Sequence, residues 1–235
     1  MDKVAIVFGG TKGVGAAFSE KLYTLGYKVH AIGRSTPSMP KNSEVSHVAI
    51  DIEDDNSWSK IDFFLKTLNK IDVIIFNIGG SFGQYADIGG DAVYSRLLYL
   101  NYTSAVRFFN ATYHLLQRSE SARVIFMLSA SIYDFSGNMP YVAAKFALFG
   151  YFKALSKKLC RENIVVSAIA PGPIDYPDRY LSRLRDEGGA EWEQFTRDHL
   201  PSRKLVTVED IVSAAEYLIS KEAGHCFGSI IEIRG

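Results

Sequence analysis

The sequence predicts an α/β fold with one doubly wound parallel sheet and helices on both faces. Three observations carry that expectation. Short apolar runs rich in β-branched residues recur along the 235 residues, apolar at consecutive positions, as parallel strands covered on both faces require. Amphipathic stretches of helix length separate them, and this alternation is the signature of strand–helix–strand units. A glycine-rich loop, Gly9-Gly10-Thr11-Lys12-Gly13-Val14-Gly15, joins the first run to the first helix, where a tight turn and close backbone approach are needed.

The elements follow in order. Val4–Phe8 is too short to cross a membrane or act as a leader and reads as a core strand. Ala16–Leu25 is the first helix, with Gly26 placed to cap it. Lys28–Ile32 and Val45–Ile50 are the next strands, then a helix over Ser57–Leu68, the strand Val73–Phe76 and one long helix over Ala92–Leu116. Val124–Leu128 is a strand, Tyr141–Cys160 a helix and Val165–Ala170 a strand. A last helix, Val208–Ser220, opens on Thr207-Val-Glu-Asp210, a capping-box pattern, and Ser229–Ile233 ends the sheet. Residues 175–204 break the rhythm: Tyr176, Tyr180, Trp192 and Phe195 stand among charges around Gly188-Gly189. Two short helices there are expected to form a lid over a crevice at the strand ends. No linker or repeat divides the chain, so one domain over 1–235 is expected.

Hydrophobic residues make up 47% of the chain and the formal net charge is zero. The first supports a full core, and the second removes any global electrostatic case for nucleic acid or an anionic membrane. Cys160 and Cys226 are too few for a disulfide framework and lack metal-type spacing, so no metal is expected and a reducing, cytoplasmic setting is.

A glycine loop between a first strand and a first helix points to a dinucleotide, with phosphates at the helix N-terminus, in the Rossmann arrangement. The end of the second strand, Gly33-Arg34-Ser35, holds an arginine and no carboxylate. A carboxylate there holds both ribose hydroxyls of NAD, whereas Arg34, with Lys12 and Ser35, suits a 2′-phosphate. NADP(H) is therefore the expected cofactor. Asp51, closing the third strand before Ile52, serves equally as an adenine acceptor or as a helix cap. Asn77-Ile78-Gly79-Gly80 closes the fourth strand with small residues near the ribose. Tyr141 and Lys145 lie four apart on a predicted helix and share a face. A phenol titrates near about 10, and a neighbouring cation favours its ionised form, making an acid or base usable near neutrality.

These motifs, with Asn101, Ser129, Pro171-Gly172 and the terminal Gly228–Gly235, resemble the short-chain dehydrogenases/reductases over essentially the whole chain. The resemblance implies hydride transfer between a nicotinamide and a small-molecule carbonyl or alcohol. It makes Tyr141 the proton donor or acceptor, Lys145 the ribose ligand, Ser129 the substrate-oxygen donor and Asn101 the holder of a relay water. Counting from Arg123 along the strand favours Ser129; counting back from Gly137 favours Ser131, and Ser129 is preferred on strand register. The implied cofactor contacts are Gly9, Thr11, Lys12, Gly13, Val14, Gly15, Arg34, Ser35, Asp51, Ile52, Asn77, Gly79, Tyr141, Lys145, Pro171, Gly172 and Ile174. Phe8 stands where the family often has threonine, Phe76 replaces an asparagine, and Tyr176 takes the place of a threonine that touches the carboxamide. Ser81, Phe82, Ile132, Tyr133, Pro173, Tyr176 and the lid aromatics Tyr180, Trp192 and Phe195 are candidates to line a substrate pocket. The family's habit of pairing the helix after Tyr141 across a two-fold axis implies a homodimer or homotetramer. A catalytically silent NADP(H)-binding regulator or scaffold is the alternative reading, and an epimerase-like or dehydratase use of the same site is a narrower one.

Overall fold

The computed structural model describes residues 3–36, 45–83, 88–177 and 179–235. One residue of the expected lid, Asp178, lies outside them. Among the described residues, seven strands, β1 (Lys3–Phe8), β2 (Tyr27–Gly33), β3 (Ser46–Ala49), β4 (Val73–Phe76), β5 (Ala122–Met127), β6 (Ile164–Pro171) and β7 (Ile230–Ile233), form one sheet. Their order is β3-β2-β1-β4-β5-β6-β7, and every pairing is parallel. The chain winds outward from β1 in both directions, so a crevice opens between β1 and β4 at their carboxyl ends.

Period-two alternation along each strand sends side chains to opposite faces. Ile6, Phe8, Ile74, Phe76, Val124 and Phe126 enter one core. Helices α2 (Asp55–Leu65), α4 (Ser104–Leu116) and α6 (Met139–Leu159) cover that face. Ala5, Val7, Val73, Ile75 and Ile125 enter the other core, against α1 (Gly13–Thr24) and α9 (Val208–Ile219). Thr207 caps α9 reciprocally with Asp210, its hydroxyl accepting from the Asp210 amide at 3.1 Å while the carboxylate accepts from the Thr207 amide at 2.9 Å.

The long helix expected over 92–116 is three pieces: α3 (Asp91–Leu98), a π-helical turn (Tyr99–Thr103) and α4. Side chains in and just after the turn bond back to carbonyls four residues earlier: Asn101 Nδ2 donates to Leu97 O at 2.9 Å and Ser104 Oγ, at the start of α4, to Leu100 O at 3.1 Å. A short helix α5 (Ser131–Asp134) follows β5. After β6 come α7 (Tyr180–Glu187) and α8 (Ala190–His199), joined by Gly188 and Gly189 at φ +66° and +85°.

Candidate active site

Backbone geometry builds the glycine loop. Ile32 O accepts from the amides of Gly9 and Gly10 at 2.9 and 3.1 Å. Asn77 Nδ2 donates to Gly9 O at 2.9 Å and Ser19 Oγ to Gly10 O at 3.0 Å. Gly15 has no room for a side chain, since a Cβ there would sit 1.9 Å from Gly9 O. Where a threonine would brace the loop in the resembling family, Phe8 stacks on Phe108, ring centroids 4.3 Å apart and planes nearly parallel. Asn77 supplies the polar brace instead.

The loop forms one wall of a cleft of about 290 Å³ whose other walls include Gly33, Arg34, Ser35, Asp51, Ile52, Asn77 and Gly79. Thr11 is buried against Gly33, and Lys12 is exposed at the rim. Arg34 Nη1, largely in solvent, lies 4.0 Å from Oδ2 of the half-buried Asp51. The cap of α2 is Asp54, accepting from the Asn56 amide at 3.0 Å, whereas Asp51 lines the cleft and its Oδ1 accepts from the Glu53 amide at 3.1 Å. The Ile52 carbonyl accepts from Trp58 Nε1 at 3.3 Å and Tyr99 Oη at 2.6 Å, tying α2 and the π turn to this wall. Glu53, also on the wall, receives Arg96 at 2.7 and 3.2 Å, and that hydrogen bonding holds its carboxyl below the usual range against slight desolvation. Sequence reasoning missed Glu53 and Arg96, because a pair 43 residues apart has no motif.

Beyond the cleft, α6 carries the dyad. Asn138 caps the helix, its side-chain oxygen accepting from the Tyr141 amide at 2.8 Å, and so fixes Tyr141 in the first turn. One turn on, buried Lys145 reaches the end of β5 and donates to Met127 O at 3.0 Å. Its Nζ is 5.7 Å from the Tyr141 ring centroid. Gly79 separates Lys145 from Asn101: a Cβ there would lie 2.8 Å from Lys145 Nζ and 2.9 Å from Asn101 Oδ1. Asn101 is buried and clamped to Gly80, accepting from its amide at 2.8 Å and donating to its carbonyl at 3.0 Å.

Ser129 and Ser131 meet, Oγ to Oγ, at 2.8 Å. Ser131 is buried, whereas Ser129 is partly exposed and near enough to the Tyr141 phenol to influence its ionisation. Contrary to the expected lowering by the neighbouring cation, burial pushes the phenol above its ordinary range, and the Ser129 hydroxyl pulls it part of the way back. Burial lowers the Lys145 ammonium to about 8. Near neutrality the dyad thus holds a neutral phenol beside a protonated amine. Pro171, Gly172 and Ile174 stand at the carboxyl end of β6, with Gly172 N donating to Ile233 O at 2.8 Å and Ile174 bridging Val206. Tyr176, a candidate for the substrate pocket by sequence, instead reaches the glycine loop: its phenol oxygen accepts from the Val14 amide at 3.3 Å. Of the aromatics expected to form a lid, Tyr180 is exposed and hydrogen-bonds Glu191, and Trp192 stacks on Phe195.

A doubly wound parallel sheet with a glycine-loop cleft at its switch point defines a dinucleotide-binding class. The short chain dehydrogenase family model matches residues 3–184, and the chain belongs to that family. The 3-oxoacyl-[acyl-carrier-protein] reductase MabA of Mycobacterium tuberculosis is 24% identical over 240 residues, spanning 100% of this chain and 92% of that protein. Dehydrogenase/reductase SDR family member 4 of Caenorhabditis elegans is 28% identical over 248 residues, covering 99% of this chain and 94% of its own. Among solved structures, L-sorbose reductase from Gluconobacter frateurii, complexed with NADPH and L-sorbose, superposes with a TM-score of 0.84 at 20% identity, over 100% and 95% of the two chains. These matches support an oxidoreductase of the carbonyl-reducing kind on a fold that binds NAD(P)(H).

Proposed function

We propose that the protein is an NADPH-dependent reductase that converts a small-molecule carbonyl to an alcohol, reversibly, as a single-domain chain working in the cytoplasm. The convergence of Tyr141, Ser129 and Lys145 beside the glycine-loop cleft carries this reading. The chemistry of the lining fits the cofactor: the cleft joins loop backbone with the cations Lys12 and Arg34, the hydroxyl of Ser35 and the carboxylate of Asp51, while the missing Cβ atoms of Gly15, Gly33 and Gly79 let Gly9, Thr11 and Lys145 pack close and shape its walls. Thr11, Gly13, Val14 and Gly15 would meet the diphosphate, Lys12, Arg34 and Ser35 the 2′-phosphate, and Asp51 and Ile52 the adenine. Asn77, Gly79, Tyr141 and Lys145 would take the nicotinamide ribose, with Pro171, Gly172 and Ile174 beside the carboxamide. When bound, the nicotinamide supplies a hydride to the carbonyl carbon.

The chain's own residues handle the proton and the developing charge. Tyr141 gives its phenolic proton to the carbonyl oxygen, and Ser129 donates a hydrogen bond to that oxygen as negative charge grows. Lys145, still protonated at neutrality, stabilises the phenolate left behind. Asn101, at the π turn, positions the route by which the proton is replaced. Residues 175–204 form the substrate lid. The 3-oxoacyl chemistry of MabA makes 3-oxoacyl thioesters one class to test beside simple ketones, aldehydes and quinones.

Absorbance-monitored NADPH oxidation across that panel, with Tyr141→Phe beside the natural protein, tests the proposal. The variant is expected to lose roughly 10²–10⁴-fold in turnover while keeping its NADPH affinity. Reduction should decline as pH rises through about 8, where Lys145 loses its proton. Arg34→Ala should weaken NADPH far more than NADH. Undiminished turnover in Tyr141→Phe would refute the acid–base role, and equal affinity of the natural protein for both nucleotides would refute the NADPH preference.

A further inference from the structure

Tyr176 lies where a dinucleotide's phosphates would have to go. The start of α1 presents free backbone N–H groups and the positive end of the helix dipole, the usual seat of a phosphate. Lys12, at the N-cap, supplies no side-chain hydrogen bond to that turn. The Tyr176 phenol does, accepting from Val14 N at 3.3 Å. Its ring lies against Gly13, where an added Cβ would meet Tyr176 Cε1 at 3.1 Å and Oη at 3.2 Å. Gly13 holds φ +53°, so the loop presents bare backbone to the ring.

The same tyrosine is tied to the helices beyond it. Ser182, buried on α7, hydrogen-bonds Asp175 Oδ1 at 2.7 Å and also the Tyr176 carbonyl. Arg185 on α7 pairs with Asp175. Asp175 N donates to Val206 O at 2.8 Å, anchoring the base of the segment. The phenol is therefore a projection of the α7 unit that reaches across the crevice to the first turn of α1.

We propose that Tyr176 is a gate on the diphosphate subsite. Its phenol caps α1 and holds α7 against the glycine loop; a dinucleotide's phosphates need the same amide and displace it, so cofactor binding and the position of the lid are coupled. The inference rests on the reading of the cleft as a dinucleotide site.

The test compares natural protein, Tyr176→Phe and Tyr176→Thr by calorimetric titration with NADP⁺, together with amide hydrogen exchange in α7 without nucleotide. Losing one neutral hydrogen bond that competes with the ligand should tighten NADP⁺ by roughly three- to tenfold in both variants. Exchange in α7 should become faster in Tyr176→Phe. Weaker binding by Tyr176→Phe would make the phenol a phosphate ligand and overturn the gate; unchanged affinity with unchanged α7 exchange would overturn it as well. If no form bound NADP⁺ or NADPH, the dinucleotide reading would fail, and the exchange result alone would decide whether the phenol holds α7.

Discussion

At the scale of single residues, His30 carries the sharpest conflict between burial and chemistry. It lies on β2, buried, packed edge-on against Phe64 with centroids 4.9 Å apart. Neither ring nitrogen has a hydrogen-bond partner among the described residues. Burial first, and the positive charge of Lys28 second, lower its pKa from 6.5 to about 4. A cationic group whose folded pKa is depressed stays neutral in the native state while the unfolded chain takes up a proton. Stability is therefore full above about 6.5 and falls as the pH drops toward 4. The loss should amount to roughly 3 kcal/mol at the acid end. His30→Leu should flatten the profile between pH 6.5 and 4 and gain about 1 kcal/mol at neutrality, where two orphaned polar atoms disappear. Urea unfolding at several pH values checks this; parallel profiles for the two proteins would refute it.

At the scale of elements, strand register explains how an aromatic core replaced a polar brace. Phe8, Phe76 and Phe126 are paired neighbours on β1, β4 and β5. Phe76 stacks on Phe126 at 4.6 Å, and Phe8 on Phe108 from α4 at 4.3 Å. Phe8→Thr, which restores the residue the family often has, should cost about 3 kcal/mol through lost packing and a cavity. NADPH affinity should stay within about twofold, because Asn77 already holds Gly9 O. A tighter cofactor complex in Phe8→Thr would show that the missing threonine matters. The sheet was legible because every core strand is a short apolar run, and the capping box because its spacing is local. The π turn was not: one extra residue in a helical turn hardly disturbs a hydrophobic period, and what marks it is the bonding of Asn101 and Ser104 to their own helix. Tyr141 and Lys145 were readable from helical spacing. The crossing of Tyr176 to Val14 was not, since the two are 162 residues apart and meet only because β6 and β1 end on the same side of the sheet.

At the scale of the whole molecule, an apolar surface remains open beside the dyad's helix. Phe135 and Met139 are 67% and 56% exposed, and with Tyr94, Val142 and Phe146 they line a groove of about 840 Å³ between α3 and α6. Phe135 stacks on Phe146 at 5.7 Å, and Phe146 meets Phe149 edge-on. Monomers rarely leave a rimmed apolar patch of this kind to water. The expected occupant is a second copy of the chain, α6 against α6 across a two-fold axis, because one patch then covers its own equivalent and closes. Sedimentation at micromolar concentration should give the mass of a dimer or tetramer. Phe146→Glu, which buries charges against each other at such an interface, should shift the protein to monomer without unfolding it, since that side chain is partly exposed within one chain. Tyr141 and Lys145 share α6 with the patch, so turnover per chain should fall with dilution if pairing steadies that helix. A natural protein that sediments as a monomer, with turnover independent of concentration, would leave the groove to a different partner.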